Sequence, residues 1–334
     1  MNICIITGGF SVEREVALNS AIFVSTMLAS DHTVMMVDLV DTESILELDA
    51  SRLIKDFQEL PKRFQTTKVL QPLFAQYQVQ EHKLVDYLTM QKTDFVFLAL
   101  HGEYGEDGGI QSVLEALDLP FNGSDSFVSR LCMDKVGTTE IMKSRVRVPN
   151  TIEVSLAELQ ELDEERFKNI QTRLGERFFA KPRAGGSSVG NKVVTDLGDL
   201  NTLLATDYLF QELLEGRELT VSVLNGTSLP IIEIVSENNF DYTDKYISAT
   251  TQEIVPAKLG ETITERIQKL SEELFKLLGC KGLARFDYIL VGEQPVFLEV
   301  NTLPGLTYSS LAPKAARSAG LSDVEFLEAQ INRG

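Results

Sequence analysis

Glu299 and Asn301 stand two residues apart in the otherwise apolar run Phe297-Leu298-Glu299-Val300-Asn301, shortly before a Pro304-Gly305 break. If that run is a strand, alternation sends both side chains to one face and Val300 to the other. One strand earlier, Arg285 and Asp287 share a face by the same rule. A hairpin of 284–290 with 296–301 therefore brings Asp287, Glu299 and Asn301 to one patch. Two carboxylates about 4 Å apart repel by about 4 kcal/mol at an effective dielectric of about 20, so such a pair calls for protonation, cationic partners or a metal. Oxygen ligands without His or Cys suit a hard cation, Mg²⁺ or Mn²⁺, which also accepts phosphate oxygens. An ordinary salt-bridged surface hairpin would use the same residues.

A second stretch, Lys181-Pro-Arg-Ala-Gly-Gly-Ser187-Ser188-Val-Gly190, sets a lysine at a strand end before a glycine- and hydroxyl-rich loop. Consecutive backbone N–H groups, hydroxyls and a lysine make an anion cradle. The spacing is not that of the phosphate loop G-x-x-x-x-G-K-[ST], and a strand rather than a helix is expected to follow. Gln211, Glu212, Leu214 and Glu218 fall at a strand-to-turn junction, where a carboxylate suits ribose hydroxyls and backbone groups suit a base edge. Gly8, Gly9, Ser11 and Glu13 lie between a first strand and a helix; the plain reading is Ser11 as N-cap, with acidic residues complementing the helix dipole. His101 lies at the carboxyl end of a later strand, the place where open α/β sheets bind ligands.

The elements that must hold these residues follow from periodicity. Residues 2–7 and 32–40 read as strands around an amphipathic helix, and 93–122 as strand, glycine-rich loop, helix and short strand, which implies a parallel sheet. Residues 41–92 read as helices and an insertion on this first unit. From about 146 the chain is rich in β-branched and aromatic residues joined by turns, as antiparallel sheets are; 264–280 and the tail read as helices. Boundaries are expected at 1–125, 126–212 and 213–334, a length sufficient for several cores.

Composition narrows the partners. The net charge of −18 argues against nucleic acid or an anionic membrane surface, though a few converging cations can still hold a small anion. No run of about 18 apolar residues offers a membrane span, and the N-terminus lacks the pattern of a signal peptide. Cys4, Cys132 and Cys280 are too few and scattered for a disulfide framework or zinc site, and read as buried hydrophobes of a reducing compartment. The sequons at Asn122 and Asn225 carry no weight without a secretory signal.

Taken in order, 8–21, 101–115, 119–124, 133–135, 181–190, 212–226, 284–288 and 299–322 resemble the D-alanine–D-alanine ligases of the ATP-grasp superfamily. The resemblance implies an α/β fold, an ATP-grasp unit preceded by a parallel-sheet domain, and ATP-dependent joining of two D-alanine molecules through an acyl phosphate for peptidoglycan. It implies that Lys135, Lys181 and Lys245 bind phosphates, with Ser187 and Ser188 in the cradle, and that Gln211, Glu212, Leu214 and Glu218 contact adenosine. Asp287, Glu299 and Asn301 would hold two Mg²⁺ or Mn²⁺ ions, and Arg285 with the Gly305 N–H would face the oxyanion. Glu13 would hold the first ammonium, Ser310 and Leu311 the second carboxylate, and His101 would lie at the substrate. Glu13, Ser187 and Tyr246 would close the loop 238–253.

Ala17, Gly185, Gln211 and Ser309 depart from residues common in the family, and 41–92 is longer than in its short members. These departures leave a different acceptor, D-serine, D-lactate or another amino acid, as the alternative. Tyr246 matches the dipeptide-forming members. A cytoplasmic homodimer acting on small molecules is what the family implies.

Overall fold

The structure is a computed structural model and describes residues 1–9, 11, 13–39, 46–47, 81–184, 190–235 and 252–332. Asn2–Thr7 (β1) is buried along nearly its whole length, as a strand covered on both faces must be. It lies between Thr33–Asp38 (β2) and Phe95–Leu98 (β4), parallel to both. Leu46–Glu47 (β3) pairs antiparallel with β2. A strand there departs from the helical reading of the insertion, because its pairing is a tertiary event with no period of its own in the sequence; 40–45 and 48–80 lie outside the described residues. Parallel neighbours need crossovers, and the helix Arg14–Leu28 supplies the first, burying Ala17, Ala21, Val24 and Leu28.

The short strand expected near 119–122 is reduced to a bridge between Val96 and Phe121. The amide of Asn122 does the pairing instead: Leu98 N donates to its Oδ1 at 2.5 Å, and its Nδ2 donates to Leu98 O at 3.2 Å. Asn122 is 2% exposed, which makes it a structural residue.

Two antiparallel sheets follow. Thr151–Val154 (β5), Phe178–Pro182 (β6), Lys192–Val194 (β7) and Tyr208–Glu212 (β8) form one, in the order β5-β8-β6-β7. The larger contains Arg217–Leu224 (β9), Thr227–Ser228 (β10), Ile232–Val235 (β11), Gln252–Ile254 (β12), Leu283–Val291 (β13) and Gln294–Asn301 (β14). Its order is β12-β11-β9-β13-β14, with β10 beside β9.

Each sheet is fixed by a helix whose apolar stripe it covers. Phe167, Ile170 and Leu174 of the helix Glu164–Leu174 pack on Phe178, Tyr208 and Phe210. Ile267, Leu274, Phe275 and Leu278 of the helix Glu261–Leu278 pack on Phe286, Tyr288 and Leu290 of β13 and Phe297 of β14. Each large side chain so buried contributes about 1.5–3 kcal/mol. After β14 the chain returns to the first unit, on which the C-terminal helices Leu311–Ser318 and Asp323–Ile331 pack through Phe326 and Leu327.

Asp125 caps the helix Ser126–Met133, accepting from Val128 N at 3.0 Å, and its other oxygen accepts from Lys281 Nζ at 3.0 Å. Asp125→Ala should lower stability by about 1–2 kcal/mol, read as a shift of the urea midpoint. Four residues after Val128 and on the same helix face, Cys132 meets Cys280. Hydrogen bonding with that thiol, with burial, raises the Cys132 pKa. Far apart in sequence, the two are neighbours in one apolar cluster, and all three cysteines are buried as expected. Among the described residues no helix is long and apolar enough to cross a membrane.

Candidate functional site

The hairpin β13–β14 sets the reacting face. Its register pairs Asp287 with Glu299 and Arg285 with Asn301, so the patch expected from alternation is present. A register shift between Asp287 and Tyr288 lies just beyond it. On the other side β13 pairs with β9, which puts Thr220 beside Asp287. The Thr220 hydroxyl donates to Asp287 Oδ1 at 2.6 Å. Arg285 grips the same carboxylate with Nε at 3.0 Å and Nη2 at 2.9 Å. This bidentate pair fixes the guanidinium plane and compensates a mostly buried charge. Asn301 Oδ1 accepts from Leu303 N at 2.8 Å and so shapes the turn into Gly305.

From the facing sheet, Lys181 on β6 reaches across. Its Nζ lies 3.9 Å from Glu299 Oε2 and 3.5 Å from Leu298 O, and the residue is 5% exposed. A buried lysine aimed at a carboxylate of the opposite sheet makes a cleft with charge on both walls. Ser187 and Ser188, in the loop after Lys181, lie outside the described residues, as do Lys245 and Tyr246; β12 begins at Gln252, at the end of the loop expected to close.

The junction after β8 divides two roles. The Glu212 carboxylate accepts from Arg147 Nη2 at 3.1 Å and from Asn150 N at 3.0 Å. It is spent on structure, as is the Glu212 N–H, which donates to Asn150 O at 3.0 Å. Gln211 is 4% exposed and donates from Nε2 to Thr151 Oγ1 at 3.0 Å, so its side chain belongs to the sheet interior. Glu218 lies near the start of β9 in register with Ile289 and Ile234. Lys135 is the first residue of its helix, Lys135–Met142, beside the Asp134 cap.

On the parallel-sheet side, Glu13 precedes the helix Arg14–Leu28 and is itself its N-cap. The expected Ser11 cap is corrected: the Ser11 hydroxyl accepts from Glu13 N at 3.0 Å, within the turn rather than on the helix. The helix starts only at Arg14, three residues after Ser11.

His101 is 6% exposed, and its Nδ1 lies 3.9 Å from Glu106 Oε1, an ion-pair rather than a hydrogen-bond distance. Burial opposes its protonation, but the carboxylates of Glu106 and Glu13 outweigh both that and the opposing Arg285, and its pKa is raised. Glu13, His101 and Arg285, from three separate elements, are thus in one electrostatic neighbourhood. His101 Nε2 is buried without a hydrogen-bond partner among the described residues.

The Gly305–Ser310 turn completes the wall. Ser310 Oγ accepts from Thr307 N at 3.0 Å and lies 2.7 Å from Thr307 Oγ1, and a Cβ on Gly305 would come within 3.0 Å of it. Leu306 N donates to Ser20 Oγ at 3.2 Å, tying the turn to the first helix. Leu311 opens the helix Leu311–Ser318. Thr220, Thr307, Glu106 and the Arg14–Asp38 pair were not identified from the sequence. Only Thr220 had a signal there: alternation in 217–224 sets it on one face with Ser222.

Two antiparallel sheets closing on a charged cleft, behind a parallel sheet that contributes Glu13 and His101, define an ATP-grasp ligase fold. The family described as D-ala D-ala ligase N-terminus matches residues 2–124, and that described as D-ala D-ala ligase C-terminus matches 142–332. The chain belongs to the D-alanine–D-alanine ligase family.

It is 32% identical over 340 residues to a D-alanine–D-alanine ligase of Clostridium botulinum, covering 99% of this chain and 97% of that one. It is 40% identical over 243 residues to D-alanine–D-alanine ligase A of Bacillus cereus, covering 70% and 78%. The crystal structure of the Bacillus anthracis ligase complexed with ATP matches with TM-score 0.74 and 27% identity over 100% of this chain and 97% of that one. VanG D-Ala:D-Ser ligase from Enterococcus faecalis matches with TM-score 0.77 and 26% identity, over 99% and 98%.

Proposed function

We propose that this protein joins two D-alanine molecules at the expense of ATP, forming D-alanyl-D-alanine for peptidoglycan. The observation that carries this reading is the facing arrangement of Asp287 and Glu299 on the hairpin with Lys181 opposite. In the reaction, a carboxylate oxygen of the first D-alanine attacks the γ-phosphorus, the bond to ADP breaks, and an acyl phosphate forms. The amine of the second D-alanine, having lost a proton, attacks the acyl carbon, and phosphate leaves as the peptide bond forms.

Lys135, Lys181 and Lys245, with Ser187 and Ser188, neutralise the phosphates. Backbone groups of Glu212 and Leu214 read adenine and Glu218 takes the ribose; Gln211 supports them from the sheet interior. Glu13 holds the first ammonium, and His101 lies beside it at the substrate. Arg285, its plane fixed by Asp287, and Gly305 N–H stabilise the tetrahedral oxyanion. Ser310 and the backbone at Leu311 hold the second carboxylate. Glu13, Ser187 and Tyr246 close the loop and exclude water, which would hydrolyse the acyl phosphate.

The donor set fits magnesium or manganese: two opposed carboxylates and an amide oxygen are hard ligands, and opposed carboxylates need added positive charge. Asp287, Glu299 and Asn301 would hold the ions, which supply charge to the transferring phosphoryl oxygens. The division at 1–125, 126–212 and 213–334 gives each unit one sheet. A cytoplasmic homodimer completes the reading, on the strength of the family.

Phosphate release from ATP and Mg²⁺ tests it, with D-alanine alone and then with D-serine, D-lactate or L-amino acids as acceptor. Turnover with D-alanine alone supports the assignment; turnover only with another acceptor overturns the substrate. Removing the hydroxyl that orients Ser310 should cost roughly one hydrogen bond: Thr307→Val raises the acceptor KM about five- to tenfold with the ATP KM unchanged, and Thr307→Ser restores it.

A further inference from the structure

Acidic side chains outnumber basic ones by 49 to 31 in this chain, so a cavity whose charged lining is mainly cationic calls for a reason. One of about 600 Å³ opens between the connector 145–147, the helix Glu261–Leu278 and the turn from β13 to β14. Arg145, Arg147, Arg266 and Lys269 line it, against the carboxylates of Glu273 and Glu293. Its size falls within the roughly 300–1,000 Å³ of small-molecule sites. Arg266 and Lys269 are three residues apart and so neighbours on the helix surface. Arg266 donates to the Glu293 carbonyl. Arg145 and Lys269 are exposed and form no ion pair among the described residues.

The cavity is separate from the reacting face. The helix covers the sheet through Ile267 and Leu274, against Phe286, Tyr288 and Leu290. Asp287 alternates to the other side, and Val291 is four residues further, about 13 Å along the strand. One lining residue nevertheless connects the two regions. Arg147 holds Glu212 at 3.1 Å, at the start of the segment proposed to read adenine.

We propose that this groove binds an anion carrying two or more phosphate groups, and that the bound anion weakens ATP binding by drawing Arg147 away from Glu212. Cations spread around a cavity of this size suit an extended polyanion better than a single phosphate, because each exposed contact is screened. The coupling half of the proposal rests on the reading of 212–214 as the adenosine seat.

Inorganic pyrophosphate is the probe, titrated calorimetrically into the full chain with the nucleotide site filled by a saturating non-hydrolysable ATP analogue, which by reciprocity weakens but does not abolish pyrophosphate binding. The expected result is one equivalent bound, weakened at least about tenfold in Arg145→Ala/Lys269→Ala and further weakened by salt. Equal binding by parent and variant, or none by the parent, overturns the site. In turnover, pyrophosphate should raise the ATP KM more in the parent than in the variant. Equal increases would place its action at the nucleotide cleft and overturn the coupling. Calorimetry needs no turnover, so a missing groove is distinguishable from a failed ligase assignment, which would appear as no phosphate release with any acceptor.

Discussion

Glu299→Gln should leave the fold intact and slow phosphate release at least about a hundredfold. The split follows from how differently the side chain is used in the two contexts. In the resting protein the Glu299 side chain is 43% exposed and meets Lys181 only at 3.9 Å. The carboxylate end is half-exposed and the separation long, so the pair contributes about 1 kcal/mol even though Lys181 is buried, and glutamine keeps the length and polarity of the side chain on β14. Thermal unfolding of the variant should therefore fall close to that of the parent.

In the proposed reaction the same carboxylate, opposite Asp287 on the hairpin, would be half of the anionic charge that draws a hard cation to the phosphates. Asp287 is already gripped by Arg285 and Thr220, so it cannot replace that charge. Raising Mg²⁺ should recover part of the lost rate, because the defect lies in cation affinity. Turnover equal to the parent at limiting Mg²⁺ would remove Glu299 from the site.

This patch was legible in the sequence because it depends on alternation alone: once 283–291 and 294–301 form a hairpin, Asp287 and Glu299 must fall on one face. The parallel sheet around β1 was legible for a similar reason, strands and helices alternating with clear periods. Features that depend on two distant segments meeting were not legible. Asp125 looks like an ordinary helix cap until Lys281, from a much later turn, meets its second oxygen at 3.0 Å. Cys132 and Cys280 looked scattered because nothing local records that one helix face packs on a later turn. Ser11 was misread as a cap because its residue type is right, while its hydroxyl accepts from Glu13 N and the helix starts only at Arg14.

The Arg14–Asp38 pair belongs to the same class, and its removal should produce the largest loss of stability. Asp38 closes β2, its side chain 3% exposed, and both guanidinium ends of Arg14 bond to its two oxygens. Arg14 Nη1 also donates to Gly9 O at 3.3 Å. Gly8, at φ 75°, lies so close that a Cβ there would meet Asp38 Oδ1 at 2.1 Å. The pair thus holds the turn between β1 and the first helix, and Glu13 is the next residue along.

Asp38→Asn keeps the shape and deletes the charge, leaving a largely buried guanidinium uncompensated, at a cost of about 2–4 kcal/mol. The unfolding midpoint should fall by several degrees, and the KM of the first D-alanine should rise more than that of ATP, since the turn carrying Glu13 is loosened. Replacing both partners, Arg14→Met with Asp38→Leu, should recover much of the stability, because no unpaired charge then stays inside. The KM defect should persist in that double variant, for Arg14→Met also removes the contact to Gly9. A midpoint within about 1 °C of the parent for Asp38→Asn would show that the pair neither stabilises this unit nor fixes Glu13.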